Sequence, residues 1–466
     1  METSKPSFLL AFDCGSTNFK AALYAPDGRR LGEYAEPVCY TLKDGTRFEM
    51  DPEETWDTAL RTLQGVCRAT KISPAKISGI SFSSQAQTFT LCDDAGRAFM
   101  PLLSWLDKRA VDESAELSQQ LGKGFHRHCT IPSPVPQIQL AKVLWARRHL
   151  PEAFAPGRHV TSLPGFLALR LAGINAMDRN LAALSGLSSL KTGGWWAEAL
   201  DAAGVDVSLM PELVETGQPL PARRIHPGFP LAPGTPLVFA GNDQTCGAMG
   251  NDCEPGEWLV TLGTALVVYR RTGETPGPYH PSSLWGPWPR GGFYELATRD
   301  EGCAAIDWAR GQLMPGAQPD DFAAQASRGD AASAPFFFPS AIHGPKAWSD
   351  RAALPEMARS VYEGVIFSLR DLVFANMEAA ENLERLCAIG GGSRPDFRLQ
   401  IMADALDRPV RRGSGDALDG AARLVLGRLA PQDAAEDRRW TPTPDGVRLC
   451  RERHAHWREL SRHVQL

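Results

Sequence analysis

Two carboxylates in this chain have neighbours that suit them to chemistry, Asp13 and Asp243. Asp243 ends a buried strand, Pro236 to Ala240, in the turn Gly241-Asn242-Asp243-Gln244, and precedes a small-residue stretch, Cys246-Gly247-Ala248-Met249-Gly250. A carboxylate there can face a cleft and take the proton of a hydroxyl, general-base work typically worth roughly 10²–10⁴-fold in rate. It can equally cap the helix that follows. Asp13 sits in Phe8-Leu9-Leu10-Ala11-Phe12-Asp13-Cys14, a strand that runs into the turn Gly15-Ser16-Thr17, with Lys20 in the return strand. An Asp in that place can hold a metal ion, directly or through water, beside phosphate oxygens. It also occurs in ordinary hairpins.

The first hairpin has a counterpart. Trp258 to Thr261 leads to Leu262-Gly263-Thr264, and the chain is strand-like again from Ala265 to Tyr269, as it is from Phe19 to Tyr24 after the first turn. A hairpin tip of Gly and Ser or Thr offers unhindered backbone N–H groups and hydroxyls, which suit an anion such as phosphate. Two such tips far apart predict a duplicated domain holding one polyphosphate. A third glycine loop, Gly390-Gly391-Gly392-Ser393, lies between a strand and a helix, where bare backbone and helix N-terminal amides can approach a nucleotide. It reads as well as a tight turn, and it is neither a Walker A loop nor the G-x-G-x-x-G of a dinucleotide fold. After the strand Ile77 to Ser83 come Gln85, Gln87, Trp105, Asp107 and Arg109. These are amides and charges for hydroxyl groups and an indole to cover a sugar face, or a hairpin with an ordinary surface ion pair.

The elements that must position these residues alternate. Strand and helix succeed one another to Ser84, with a helix predicted over Pro52 to Ala69, and more helix follows at Gln137 to Arg148 and Pro164 to Leu171. Pro-rich text from Gly217 to Pro236 reads as a surface linker, and Gly311 to Asp350 as loop. The C-terminal part returns to α/β order: a helix from Pro355 to Ala380, a strand from Leu386 to Ile389, and a helix from Pro395 to Leu406. A helix from Asp416 to Leu429 closes the core. The class is α/β, with domains at 1–250 and 251–466.

The 466 residues are 43% hydrophobic, ample for two large cores. A net charge of −5 without a basic run excludes a general nucleic-acid field. No apolar run reaches membrane-spanning length and no signal peptide opens the chain, which predicts a cytoplasmic protein without membrane partners. The ten cysteines contain no C-x-x-C pair and read as buried thiols.

Taken in order, the pieces resemble the FGGY carbohydrate kinases, of the sugar kinase, Hsp70 and actin superfamily. The resemblance is carried by Asp13-Cys14-Gly15-Ser16-Thr17 (D-x-G-[ST]-[ST]), Trp105-Leu106-Asp107-Lys108-Arg109 (W-x-D-x-R) and Lys142-Val143-Leu144-Trp145 (K-x-x-W). It continues through Gly241-Asn242-Asp243-Gln244, Gly263-Thr264, Glu363-Gly364-Val365 and Gly390-Gly391-Gly392-Ser393. It implies two actin-like, ribonuclease H-like ATPase domains with a catalytic cleft between them, closing on MgATP and a small ketose or polyol, with a pentulose such as xylulose expected. Asp243 is then the general base and Asp13 the residue for Mg²⁺. Gln85, Gln87, Trp105, Asp107, Asn242 and Gln244 are expected on the sugar. Gly15, Ser16, Thr17, Lys20, Gly263, Thr264, Gly391, Gly392 and Ser393 are expected on ATP. Homodimers are usual in the family.

Some positions depart from it. Ser84-Gln85-Ala86-Gln87-Thr88 replaces G-Q-M-H-G, Ala265 replaces a serine after Gly263-Thr264, and His343-Gly344-Pro345-Lys346-Ala347 replaces G-E-R-x-P. The contrasting expectation is a sugar-sensing protein that keeps the fold without turnover.

Overall fold

The computed structural model describes residues 7–463 except 255, 278, 343–345, 377–381 and 431–437. Its frame is two sheets of matching topology. The first has the order Pro219–Pro221, Pro236–Asn242, Ile77–Ser84, Phe8–Cys14, Asn18–Tyr24, Arg30–Pro37. The three strands from Pro236–Asn242 to Phe8–Cys14 are parallel, and an antiparallel meander continues from Phe8–Cys14. In the second sheet the parallel strands are Val410–Arg412, Arg385–Ile389 and Glu257–Leu262, and the meander continues through Leu266–Arg271 and Phe293–Arg299. The same arrangement therefore occurs twice, as the paired hairpins predicted.

A parallel strand covered on both faces reads as an unbroken apolar run. In Leu9-Leu10-Ala11-Phe12 the alternation decides which cover each residue meets. Leu10 and Phe12 join the core beneath the helix Pro52–Thr70, with Trp56, Leu63 and Val66. Leu9 and Ala11 join Leu418, Ala421 and Ala422 of the helix Ala417–Leu426 on the other face. That helix, late in sequence, thus docks on the first sheet, and the Ser81 hydroxyl donates to its Ala421 carbonyl at 2.8 Å. It also lies backbone to backbone against the helix Asp243–Gly250: a Cβ on Gly420 would stand 1.8 Å from the Cys246 carbonyl oxygen, and one on Gly250 2.1 Å from that of Asp416.

A smaller sheet, ordered Leu42–Lys43, Phe48–Met50, Leu102–Leu103, Phe89–Asp93, Arg158–Ser162, is built from insertions in the first half. The loops holding Gln85, Gln87 and Trp105 adjoin its strands.

Predicted elements are found with small end shifts, among them Gln139–His149, Leu163–Ala172 and Asp396–Leu406. Other expectations are corrected. The Pro-rich segment is more than a surface linker: Pro219–Pro221 forms an edge strand, where a missing N–H is tolerated, and Phe229 and Leu231 enter the first core. The supposed loop Gly311 to Asp350 contains the helix Pro319–Arg328, which buries Phe322 and Ala326. The last predicted helix stops at Leu426, before Gly427, and a further helix, Pro444–Ser461, follows. Its buried residues are Arg453, His454 and Trp457, so an apolar stripe was not there to be read. It is anchored by ion pairing: Arg453 Nη2 meets Glu363 Oε2 at 2.7 Å, which accounts for the Glu363 of the E-G-V motif. The predicted helix from Pro355 is Leu354–Asn376; residues 377–380 of that prediction, like His343-Gly344-Pro345, lie outside the described residues. Among the described residues no helix is long and apolar enough to cross a membrane.

Candidate active site

The three parallel strands of the first sheet end together. Register pairs Asp13 with Ser83, and both Cys14 and Asn242 with Ser84, so Asp13 and the turn bearing Asp243 emerge at the carboxyl edge, where open α/β sheets bind ligands. Asp243 is the first residue of the helix Asp243–Gly250, but the cap is the preceding side chain: Asn242 Oδ1 accepts from Thr245 N at 2.9 Å. Asp243 is thereby released from the capping role that its sequence position allowed, and its Oδ1 accepts from the neighbouring Gln244 N at 2.9 Å.

Asp13, Lys20, Asp243, Gln244, Thr261 and Gly390 line one cavity of about 290 Å³, with Asp416 beside them. Thr261 lies in the second sheet and Gly390 follows its strand Arg385–Ile389, so the cavity lies between the two halves. Burial, and secondarily the charge of Asp13, raise the Asp243 carboxyl to about 7. Burial raises Asp13 to about 6, against the lowering effects of the Ser83 hydroxyl, 2.8 Å from Oδ1, and of Lys20. Lys20 pairs with Asp13 across the hairpin. Two half-buried carboxyls of raised proton affinity, Asp13 lifted by burial and by the charge of Asp416 and Asp243 by burial and by the charge of Asp13, form with Asp416 a hard-oxygen, anion-rich wall, the donor chemistry Mg²⁺ takes. The residues present therefore fit that ion.

The second cavity, about 420 Å³, is lined by Gly263, Thr264, Gly391, Gly392, Tyr362 and Arg398, with Cys303 among the others. The strand Glu257–Leu262 and the Gly390 loop separate it from the first cavity, bordering one with Thr261 and Gly390 and the other with Gly263, Gly391 and Gly392. Gly390 holds φ +88, and a Cβ there would lie 2.8 Å from the Leu262 carbonyl oxygen. Only glycine allows that approach. Ser393 turns inward, its hydroxyl donating to Gly390 O at 2.8 Å. Gly15, Ser16 and Thr17 form the turn after Asp13 and are not among the residues lining either cavity.

Beyond the first cavity the sugar-side set divides. Trp105 is 42% exposed, an indole held out by its loop. Gln87 takes φ 65, uncommon for a residue with a Cβ, and its carbonyl accepts from Lys142 Nζ at 2.9 Å. Lys142 Nζ also donates to Ser104 O at 2.7 Å, so one fully buried amine joins the Gln87 and Trp105 loops, and burial lowers it to about 7. Three expected sugar ligands are committed internally. Gln85 Nε2 donates to Gly15 O at 3.1 Å and its Oε1 accepts from Thr88, which props the first phosphate-type turn. Asp107 is fully buried and accepts the amides of Phe48 and Arg109 and both Nε and Nη2 of Arg109. That fills the four acceptor positions of a carboxylate. Asn242 serves as cap and network member. Gln244 stays in the cavity wall, its Oε1 accepting from Thr261 at 3.3 Å.

Sequence reasoning missed Asn180 and Tyr269, which hold the Asp243 turn from either side, and Arg398, fully buried in the wall of the larger cavity. The Asp178 cap two residues before Asn180 was a readable helix-start signal. Nothing in local spacing marks Tyr269 or Arg398.

Comparison with known proteins agrees with this geometry. Residues 8–250 match the N-terminal domain, and 296–424 the C-terminal domain, of the FGGY family of carbohydrate kinases. A glycerol kinase of Xanthobacter autotrophicus is 27% identical over 441 residues, covering 87% of this chain and 86% of the relative. A xylulose kinase of Streptomyces rubiginosus is 26% identical over 461 residues, covering 94% and 92%. The solved xylulose kinase of Rhodospirillum rubrum superposes with a TM-score of 0.86 at 21% identity, covering 98% of this chain and 99% of that one, which shows the two-domain actin-like fold. A duplicated sheet frame with an acidic cavity between its halves, matched by both family domains, is the structure of an ATP-dependent sugar kinase, and this chain belongs to the FGGY family of carbohydrate kinases.

Proposed function

We propose that this kinase transfers the γ-phosphoryl group of MgATP to a terminal hydroxyl of a small ketose or polyol, a pentulose such as xylulose, with Asp243 as general base. The observation that carries this reading is the placement of Asp243: free of the capping role, half-buried, raised to about 7, and in one cavity with Asp13 between the two halves. A base whose pKa lies near the working pH combines ionisation with proton affinity, and the ionised carboxylate accepts the hydroxyl proton as the oxygen attacks. The relatives named for glycerol and xylulose phosphorylation support the substrate class.

Residues 1–250 carry the sugar side and base, and 251–466 the nucleotide side. Asp13 would hold Mg²⁺, which when bound neutralises charge on the phosphate oxygens. The turns at Gly15 to Thr17 and Gly263 to Thr264, with Lys20, orient the phosphates, and Gly391 and Gly392 leave room for the nucleoside. Trp105, Gln87 and Gln244 border the acceptor, while Gln85, Asp107 and Asn242 hold the loops that present them. Positioning of this kind supplies most of the catalysis in phosphoryl transfer.

The test is ADP release from MgATP across pentuloses, hexuloses, heptuloses and polyols, with Asp243→Asn in parallel. One preferred acceptor, with kcat falling about 10²-fold or more in the variant, is expected. A variant within about threefold of the parent rejects the base assignment. Ligand-induced melting shifts without ADP from any acceptor favour a sensor, the reading suggested by Ala265 in the second turn.

A further inference from the structure

We propose that Asn180 is a positioning residue that sets the Asp243 turn and ties it to the C-terminal half of the chain. The proposal rests on Asp243 as the base. Asn180 is fully buried. Its Oδ1 accepts from Asn242 N at 2.9 Å and Asn242 Nδ2 at 2.6 Å; its Nδ2 donates to Thr245 Oγ1 at 3.2 Å and Pro287 O at 2.9 Å. A side-chain amide has two donors and two acceptor positions, and all four are engaged, which leaves it one orientation. Its own backbone is fixed in turn, the N–H donating to Asp178 Oδ1 at 3.0 Å and Thr216 Oγ1 at 3.2 Å.

The residue before the base and the residue two positions after it are thus held, Asn242 on one side and Thr245 on the other. Gly241 makes the approach possible: at φ +95 it brings the turn so near that a Cβ would stand 2.7 Å from Asn180 Oδ1.

Thr245 extends the network across the cleft. Its hydroxyl oxygen accepts from both Asn180 Nδ2 and Asn242 Nδ2, the latter at 2.9 Å, and lies 2.7 Å from Tyr269 OH. With both lone pairs taken, its proton goes to the Tyr269 oxygen. Tyr269 lies in the strand Leu266–Arg271 and Pro287 ends the strand Leu284–Pro287, both of the second sheet. The turn holding the base is therefore fastened to both halves through one amide and one hydroxyl, and its seat follows how those halves meet.

Displacing a reacting group by ~1 Å costs about 10²-fold in rate, so Asn180→Ala is expected to lower kcat by about 10–10²-fold while the KM for ATP stays within about threefold. The acid limb of the pH profile should also move to lower pH, because a loosened turn admits water and relieves the burial that raises Asp243. A purely structural residue would lower Tm and folded yield but leave kcat per folded site and the limb unmoved, and that result overturns the proposal. If Asn180→Ala does not fold, Tyr269→Phe and Thr245→Val decide: both are expected to cut kcat by about threefold or more, and unchanged kcat in both overturns it. Asp243→Asn separates the two claims. Loss of turnover there beside a normal Asn180→Ala rejects the positioning role alone, whereas retained turnover in Asp243→Asn rejects the base on which it rests.

Discussion

Asp13 and Asp243 stand at the same edge of the first sheet, one strand between them, and line a single cavity in which the charge of Asp13 raises the proton affinity of Asp243. Their proximity has a kinetic and a thermodynamic consequence, and the two have opposite signs.

Activity should rise with pH as the Asp243 carboxyl ionises, so kcat/KM of the free enzyme is expected to show an acid limb near pH 7. Stability should fall over the same interval. A carboxyl raised in the folded state above its unfolded value of 3.8 contributes stability that is full below that value and is lost as pH rises through about 7. Asp243→Asn should therefore melt above the parent at pH 8 by the equivalent of ~1–3 kcal/mol, the advantage shrinking as pH falls toward 4. Melting curves for both proteins at the two pH values test this, and an equal or lower Tm for the variant at pH 8 counts against it.

Removing the other carboxylate should act on the metal and on the limb. Asp13→Ala is expected to raise the Mg²⁺ concentration needed for half-maximal activity by about tenfold or more. Asp13→Asn, which deletes the charge that raises Asp243, should shift the acid limb downward. Magnesium titrations and pH profiles measure the two effects, and an unaltered Mg²⁺ requirement would take Asp13 out of the metal role.

Lys142 gives a prediction about the acceptor. Even as a neutral amine it keeps two N–H donors for Gln87 O and Ser104 O, so the clamp should persist through its titration near pH 7. Lys142→Met leaves both carbonyls without that donor and is expected to cost ~2–4 kcal/mol and to raise the sugar KM well above any change in the ATP KM. Gln87→His, on the loop held by this clamp, should likewise alter sugar preference more than ATP KM. Steady-state kinetics with each substrate varied separates the two; equal effects on both would place these loops away from the acceptor.

The nucleotide side is tested at Gly392. A Cβ there would meet Arg398 Nη1 at 2.3 Å, Cys303 Sγ at 2.6 Å and Leu262 O at 2.8 Å. Gly392→Ala should displace the loop and raise the ATP KM by about tenfold, with sugar KM within about threefold. Gly391 has open space at the same position, so Gly391→Ala should be milder.

The sequence disclosed these features unevenly, and the reason is the range of the interaction. The paired hairpins and the apolar strand Leu9 to Phe12 are local signals, as are the helical stretches that became Pro52–Thr70 and Ala417–Leu426, and the sheets and these helices were legible from them. The helix Pro444–Ser461 was not, because Arg453 is buried by a pair with Glu363, ninety residues away. The site shows the same division. Asp13 and Asp243 announce themselves by ending strands, whereas the commitment of Asp107 to Phe48 and of Gln85 to Gly15 depends on which loops meet in space. Asn180 is recognisable only through its partners at Asn242, Thr245 and Pro287.

The contact of Gly420 with Cys246 makes the two packed helices behave as a lever with a bare fulcrum. No side chain fills the gap, so none can yield if a larger residue enters, and a methyl group at 420 must push one backbone from the other. One arm ends at Asp243, on the first turn of its helix; the other begins at Asp416, in the wall of the same cavity. An error of a few tenths of an ångström at the fulcrum is thereby carried to both walls of the chamber where the carboxylates lie.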